Sequence, residues 1–171
     1  CPPAATTVAI YGAPATAGDL VYVGGYNGII YAFSSGRDEP RWVYPRTKSI
    51  GGPIVGGIVV SGGKIYFGTT NGKVYALEAA DGFKEWVVET GDKIWSTPAI
   101  DGDMLFIGSF DKKLYALDAT DGSKKWEFET EGAIVATPLV HNNTVYIGSF
   151  DRYLYAIDAT DGSLKWKFLA E

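Results

Sequence analysis

The chain has 171 residues, which is enough to bury a hydrophobic core without help from metal ions or disulfides. Its 15 basic and 20 acidic residues give a net charge of -5, so it lacks the basic excess that neutralises phosphates, and we expect no nucleic-acid partner. The 22 glycines, 11 tyrosines and 5 tryptophans, with 1 methionine, are typical of a turn-rich β protein rather than of long helices.

The chain begins with its only cysteine, Cys1, followed by the stretch PPAATT. One cysteine excludes an internal disulfide and a cysteine-based metal site. A cysteine at this place resembles the mature end of bacterial lipoproteins, and the resemblance implies a lipid on Cys1 and a tether over residues 1–7. Two or more acyl chains would hold the protein stably on a membrane surface. The alternative is that Cys1 is only the point where the sequence starts.

Residues 8–171 contain four copies of one pattern, at about 8–46, 47–90, 91–130 and 131–171. Each copy has a Tyr-Ala pair, a glycine seven residues before that tyrosine and a tryptophan eleven residues after it. The spacings between successive tyrosines are 44, 40 and 40 residues. The tyrosines are Tyr31, Tyr75, Tyr115 and Tyr155. A fixed period of this length indicates a repeat architecture.

The third copy contains four short apolar runs, which we predict to be strands over residues 94–100, 104–108, 114–118 and 125–129. The breakers between them contain aspartate and glycine, which tolerate the backbone angles of tight turns. The pattern predicts an all-β fold, in which each copy forms one four-stranded antiparallel blade of a β-propeller.

A turn and a tryptophan close each copy, and we predict a structural role for both. An aspartate before the turn can accept backbone N–H groups, a glycine allows a positive φ, and the tryptophan docks onto a neighbouring blade. The residues in these roles are Asp118 and Asp158, then Gly82, Gly122 and Gly162, then Trp42, Trp86, Trp126 and Trp166. The first copy departs from the pattern, because Ser34 replaces the capping acid and Arg37-Asp38 stands where Asp-Gly follows in the second copy.

Residues 116–126 and 156–166 resemble the tryptophan-docking motif of quinoprotein-type (PQQ-like) β-propellers, and the similarity extends over residues 10–168. Enzymes of this superfamily bind pyrroloquinoline quinone with a calcium ion, and many stack the quinone on a ring formed by two adjacent cysteines. This chain has no cysteine pair, so we interpret the resemblance as one of fold and expect no cofactor.

No catalytic constellation is recognisable in the sequence. His141 is the only histidine and lies in a predicted turn, without partners for a nucleophilic triad. The aspartate-rich turns lack the spacing of an EF-hand and are interpreted as caps rather than as calcium ligands. We therefore expect no catalytic residue and no metal site, and we expect the protein not to be an enzyme.

Loops of a rigid propeller commonly carry its binding residues. The turns between second and third strands, together with the longer connection over residues 44–53, predict a partner-binding face at one end of the blades. Its residues would be Tyr26, Asn27, Thr70, Asn71, Phe110, Asp111, Lys112, Phe150, Asp151 and Arg152, with Arg46 and Lys48 from the connection. Phe110 and Phe150 either anchor a partner or pack into the blade beneath them.

Three functions are compatible with these observations. The first is a non-catalytic scaffold that is tethered to a membrane through Cys1 outside the cytoplasm. Such a scaffold would bind other subunits of a membrane complex, similar to the lipoprotein propeller subunit of the bacterial outer-membrane β-barrel assembly machinery. The second is a ligand-binding or sensor propeller of a larger receptor, and the third is a fragment of a quinoprotein dehydrogenase.

Closure of the ring is a separate question, because four blades are the lower limit for a closed propeller. An open arc would expose strand edges and docking faces. The alternatives are a truncated chain that belongs to a larger ring, two half-rings that associate into one eight-bladed ring, and a closed ring of four blades.

Overall fold

Four antiparallel sheets of four strands each make up the part of the chain that the computed structural model describes, residues 8–170. These residues contain no helix, and so none that is long and apolar enough to cross a membrane. The prediction of an all-β propeller with four blades is confirmed. Cys1 and the predicted tether over residues 1–7 lie outside the described residues.

Each blade is a meander whose strands pair in sequence order. Blade 1 contains Ala15–Ala17 (β1), Leu20–Gly24 (β2), Ile30–Ser34 (β3) and Pro40–Tyr44 (β4). Blade 2 contains Val59–Ser61 (β5), Lys64–Gly68 (β6), Lys73–Glu78 (β7) and Lys84–Glu89 (β8). Blade 3 contains Ala99–Asp101 (β9), Met104–Gly108 (β10), Lys113–Asp118 (β11) and Lys124–Glu129 (β12). Blade 4 contains Leu139–His141 (β13), Thr144–Gly148 (β14), Tyr153–Asp158 (β15) and Leu164–Leu169 (β16).

The hydrophobic core consists of the layers between successive blades. We call the side of a blade that contacts the preceding blade its front face, and the side that contacts the following blade its back face. Because side chains alternate along a strand, β6 sends Ile65 and Phe67 to its front face and Tyr66 to its back face. Both faces of a blade are therefore apolar, and both are buried wherever a neighbouring blade is present.

The predicted strand over residues 94–100 is wrong in its first part, because only Ala99–Asp101 pairs as a strand. Residues 94–98 form an irregular connection. Their apolar character has another cause: Ile94 is fully buried against blade 2, where its N–H donates to the carbonyl oxygen of Thr69 at 3.1 Å. A Cβ on Gly68 would lie closer than 3.0 Å to Ile94 Cγ2. The glycine therefore leaves the space that this side chain fills, which we call a glycine socket.

The tryptophan of blade 2 reaches the turn of blade 3. Trp86 Nε1 donates to the carbonyl oxygen of Ala119 at 3.1 Å, and the Tyr66 hydroxyl donates to the same oxygen at 3.0 Å. The indole covers Gly122, whose φ is 77° and where a Cβ would lie 2.9 Å from the ring. Trp42 and Trp126 make the corresponding hydrogen bonds to Ala79 and Ala159, at 3.2 Å and 3.1 Å, over Gly82 and Gly162.

The aspartate before each of the last two turns accepts a hydrogen bond from that turn. Asp158 Oδ1 accepts the Thr160 N–H at 2.8 Å, and its Oδ2 pairs with Lys165 Nζ at 3.0 Å. The hydrogen bond and the lysine together lower the pKa of Asp158 to about 2. Asp118 has the same arrangement with Thr120 and Lys125, which lowers its pKa below the usual value.

The four blades form an open arc within residues 8–170. The back face of blade 4 is uncovered: Trp166 is 46% exposed, whereas Trp42 and Trp86 are each 8% exposed. The front face of blade 1 is only half-buried at Val21 and Phe33. Of the three alternatives for the ring, the closed ring of four blades is therefore not what the arc forms by itself.

Candidate partner-binding face

The turns between second and third strands lie next to the connections that enter the same blades. The Phe110 N–H donates to the carbonyl oxygen of Lys93 at 2.9 Å, and the Phe150 N–H donates to that of Ala133 at 3.0 Å. The Tyr26 N–H likewise donates to the carbonyl oxygen of Ala9, at 2.9 Å. These pairs place turns and connections together at one end of the blades.

Phe110 lies between two other aromatic side chains on this face, Trp95 and Phe150. The ring centroids of Trp95 and Phe110 are 4.8 Å apart, and those of Phe110 and Phe150 are 6.5 Å apart, both in edge-on arrangements. Phe110 is half-buried, while Trp95 is 45% and Phe150 66% exposed. We call Trp95, Phe110 and Phe150 the aromatic cluster. Phe110 thus supports its neighbours from within, and Phe150 presents most of its ring to solvent.

A second aromatic pair lies at the corresponding place in blade 1. The ring centroids of Tyr11 and Tyr26 are 5.5 Å apart, and both side chains are exposed. Tyr11 holds the position in blade 1 that Trp95 holds in blade 3. Blades 1 and 3 therefore each present an aromatic pair at this end of the arc.

Cationic side chains border the aromatic cluster. Lys93 Nζ lies 5.6 Å from the centroid of the Phe110 ring. Lys112 and Arg152 follow the two phenylalanines in exposed turn positions, with φ of 73° and 74°. The corresponding residues of blades 1 and 2 are Gly28 and Gly72, for which a positive φ costs nothing. The two cations are thus kept at backbone positions that are strained for any residue with a Cβ.

The carboxylates of Asp111 and Asp151 are turned into the protein. Asp151 accepts the N–H groups of Glu131 and Tyr153 at 2.9 Å and 3.0 Å, and the Tyr155 hydroxyl at 2.8 Å. Burial opposes ionisation of Asp151, but these hydrogen bonds outweigh it and lower its pKa. Asp111 likewise accepts three hydrogen bonds, from the N–H groups of Gly91 and Lys113 and from the Tyr115 hydroxyl. Burial and the hydrogen bond to Asp111 raise the pKa of Tyr115. Both aspartates anchor the connection that enters their blade.

The other predicted face residues lie away from the aromatic cluster. Asn27 is half-buried and donates through Nδ2 to the Tyr31 hydroxyl at 2.7 Å. Arg46 lines a groove of about 500 Å³ between β4 and the outer turn of blade 2, together with Tyr44 and Phe83. Lys48 is exposed in the connection. The structure thus brings Phe110 together with Phe150 and Lys93, whereas Arg46 lies in the groove beside blade 2.

Sequence reasoning missed Trp95, Tyr11 and Lys93. A signal for Trp95 was present, because it is the one tryptophan of 5 that does not follow a Tyr-Ala pair by eleven residues. The repeat gives no structural role to a tryptophan that lacks this spacing. Trp95 could therefore have been predicted as an exposed residue next to a turn.

The face is not suited to a calcium-bound quinone of the type that the fold resemblance implies. Calcium takes about six to eight oxygen ligands. Asp111 and Asp151, the aspartates of the two turns that carry the phenylalanines, already accept three protein hydrogen bonds each. In residues 8–170, no group of three or more His, Cys, Asp or Glu side chains is placed to hold a metal ion. The side chains of this face therefore do not fit a calcium ion with a bound quinone.

Solved structures with the same fold come from several kinds of protein. BamB from Moraxella catarrhalis is 22% identical over 92% of this chain and 52% of its own, with a TM-score of 0.79. The computationally designed Ika8 protein is 14% identical over 91% of this chain and 48% of its own, with a TM-score of 0.79. A quinohemoprotein alcohol dehydrogenase from Comamonas testosteroni is 18% identical over 95% of this chain and 35% of its own, with a TM-score of 0.82.

The chain spans about half of the first two proteins and about a third of the dehydrogenase. At these identities the likeness shows the fold alone. Among curated protein sequences, none matches the chain significantly. A family profile described as outer membrane protein assembly factor BamB matches residues 4–88 and again residues 86–171. The two matches together cover nearly the whole sequence, and the chain belongs to this family of PQQ-like β-propellers.

Proposed function

We propose that the protein is a non-catalytic scaffold that binds another protein subunit of a membrane-associated complex through the aromatic cluster. The observation that carries this proposal is the exposure of Trp95 and Phe150 on a rigid end of the propeller, at 45% and 66%. Exposed aromatic side chains are typical anchors of protein interfaces. The match to the BamB family supports a role in protein interaction.

The surroundings of the aromatic cluster favour a partner with apolar side chains at the centre of the contact and acidic groups at its edge. Phe110 lies between the two exposed rings, with its centroid 4.8 Å from that of Trp95 and 6.5 Å from that of Phe150. Lys93 Nζ lies 5.6 Å from the centroid of the Phe110 ring, and Lys112 and Arg152 are exposed in the turns that carry the two phenylalanines, in a protein whose net charge is -5. Charges at the edge of an interface mainly steer association, while buried aromatic groups supply most of the affinity.

The strained turns give independent support to a functional role of this end of the blades. Glycine at positions 112 and 152 would relieve the strain, as it does in the first two blades. Strain of this kind concentrates at functional sites. We therefore assign the charges of Lys112 and Arg152 to the binding function of the face.

Cys1 adds the proposal that the scaffold is a lipoprotein held on a membrane outside the cytoplasm. It rests on the resemblance of the first residues to lipoproteins and on the family match, because Cys1 lies outside the described residues. Mass spectrometry of the protein isolated from native membranes is expected to find acyl chains on Cys1. An unmodified Cys1 in that material would contradict the membrane tether but not the aromatic binding face.

The binding proposal is tested with the variants Phe150→Ala and Trp95→Ala and the control Phe83→Ala. Phe83 is 66% exposed, as Phe150 is, but lies on the outer turn of blade 2. Loss of an aromatic anchor costs about 2 kcal/mol or more, which is about 30-fold in affinity. Quantitative pull-down from native membranes should lose the partner with the first two variants and keep it with the control. Equal retention by all three variants would contradict the assignment.

A further inference from the structure

We infer that a pocket in the junction between blades 3 and 4 binds a primary ammonium group on a short alkyl chain. The pocket has a volume of about 260 Å³ and is lined by Asp101, Met104, Phe106, Asn143, Ala159 and Thr160. It lies beside the turn between β9 and β10, at the end of the blades opposite to the turns that carry the aromatic cluster. The inference therefore does not rest on the proposed function.

The carbonyl oxygen of Ala159 has one donor fewer than its counterpart between blades 2 and 3. That counterpart accepts from a tryptophan and from the Tyr66 hydroxyl, at 3.1 Å and 3.0 Å. Phe106 holds the position of Tyr66 in blade 3, and its ring centroid lies 5.7 Å from that of Trp126, against 5.8 Å for the pair in blade 2. In the described part of the chain only Trp126 Nε1 donates to the Ala159 carbonyl, at 3.1 Å. This oxygen therefore has a lone pair for a further donor.

A second donor of the preceding junction is also replaced by an apolar group. Lys64 Nζ of blade 2 donates to the carbonyl oxygen of Thr120, in the outer turn of blade 3, at 3.4 Å. Met104 holds the position of Lys64 in blade 3, and Thr160 holds that of Thr120 in blade 4. Met104 is half-buried and packs on the core between blades 3 and 4. The junction thus keeps the carbonyl that accepts an ammonium group in blade 3, but it has no lysine of its own to supply that group.

The pocket also contains a carboxylate that the preceding junction lacks. Asp101 is paired with Met104 across β9 and β10, so both side chains lie on the back face of blade 3. The corresponding pair in blade 2 is Ser61 and Lys64. Asp101 is exposed and forms no ion pair within residues 8–170. Compared with the junction between blades 2 and 3, the pocket therefore has two donors fewer and one negative charge more.

The donors on the blade 4 side of the pocket are already engaged within that blade. Lys165 Nζ donates to the carbonyl oxygen of Asn143 at 2.8 Å and is paired with Asp158 at 3.0 Å. Asn143 Nδ2 donates to the same carboxylate at 3.3 Å, and the Thr160 hydroxyl donates to Asn143 Oδ1 at 3.2 Å. A ligand in the pocket therefore meets acceptors and apolar groups rather than free donors.

An alkylammonium ion matches each part of this lining. Its N–H groups can donate to the carbonyl oxygens of Ala159 and Thr160, while Asp101 compensates its charge. Its alkyl chain can lie against Met104 and Phe106. A volume of about 260 Å³ is below the range of about 300–1,000 Å³ that holds drug-sized ligands, so the ligand is small. A lysine side chain of another protein and a free alkylamine both carry this group.

An NMR titration of the whole chain tests the inference, with n-butylamine as the charged probe and n-butanol as the uncharged probe of the same shape. Amide shifts of Asn143, Ala159 and Thr160 should saturate with n-butylamine at a Kd of about 1 mM, and n-butanol should bind about 10-fold more weakly or not at all. A peptide with one lysine between glycines separates the two sources: binding supports a lysine of a partner, and exclusion supports a free amine. No saturable shift with n-butylamine, or equal affinity for n-butanol, would overturn the inference.

Variants that introduce the residues of blade 2 locate the site without disturbing the repeat. Asp101→Ser should lower the affinity for n-butylamine about 5- to 10-fold. Met104→Lys combined with Phe106→Tyr supplies both donors from within, so it should abolish binding while thermal unfolding stays at or above that of the parent. The control is Asp103→Gly, because Asp103 faces the preceding blade, where it adds to the effect of burial in raising the pKa of Tyr66. A control that loses as much affinity as Asp101→Ser, or a double variant that is folded and still binds, would contradict the assignment.

Discussion

The glycine sockets give the sharpest prediction for stability, because the same substitution at two repeats meets two different surroundings. In Gly108→Ala the new Cβ would lie 2.9 Å from Ile134 Cβ, closer than 3.0 Å to its Cγ2 and 3.1 Å from its carbonyl oxygen. Ile134 is fully buried and cannot move aside, so we expect overpacking to cost about 3 kcal/mol. In Gly148→Ala no atom is nearer than 4.0 Å, and the reduced freedom of the unfolded chain should stabilise the fold by about 0.4–1 kcal/mol.

Urea unfolding followed by tryptophan fluorescence measures this difference, which should be about 3–4 kcal/mol between the two variants. Protein concentration must be low enough to keep every sample monomeric, since association raises apparent stability by mass action. Neither glycine has a positive φ, so backbone strain does not enter the comparison. Unfolding free energies that agree within about 0.5 kcal/mol would refute the reading of Gly108 as a filled socket and of Gly148 as an empty one.

Three further predictions concern single contacts. Trp86→Phe removes the indole donor to Ala119 while the Tyr66 hydroxyl still satisfies that carbonyl, so thermal unfolding should show a loss of about 1–2 kcal/mol rather than the larger cost of an orphaned group. Arg152→Gly should raise the unfolding free energy in urea by about 1 kcal/mol, because glycine adopts a φ of 74° without strain. The pKa of Asp158 is about 2 in the folded protein and about 3.9 when unfolded, so its contribution is complete above about pH 4 and is lost as the pH falls toward 2. The unfolding free energy of Asp158→Asn should therefore fall less steeply with acid than that of the parent over this interval.

The fold was predictable because the repeat determines both strand pairing and blade packing. Tyrosine and tryptophan recur at a fixed separation, and this fixes the third and fourth strands of every blade against each other. The length of the first strand of blade 3 was overestimated, because an apolar run such as residues 94–98 can indicate burial between blades as well as a strand. Only the position of Gly68 in the neighbouring blade distinguishes the two cases, and it is not local in the sequence.

The face was predictable only in part, for a related reason. Phe110 and Phe150 each follow the tripeptide Ile-Gly-Ser, yet Phe110 is half-buried beside Trp95 and Phe150 is exposed. The turn residues of the two copies do not encode this difference. It comes from the connection that enters each blade, which carries a tryptophan before β9 and Val135 before β13.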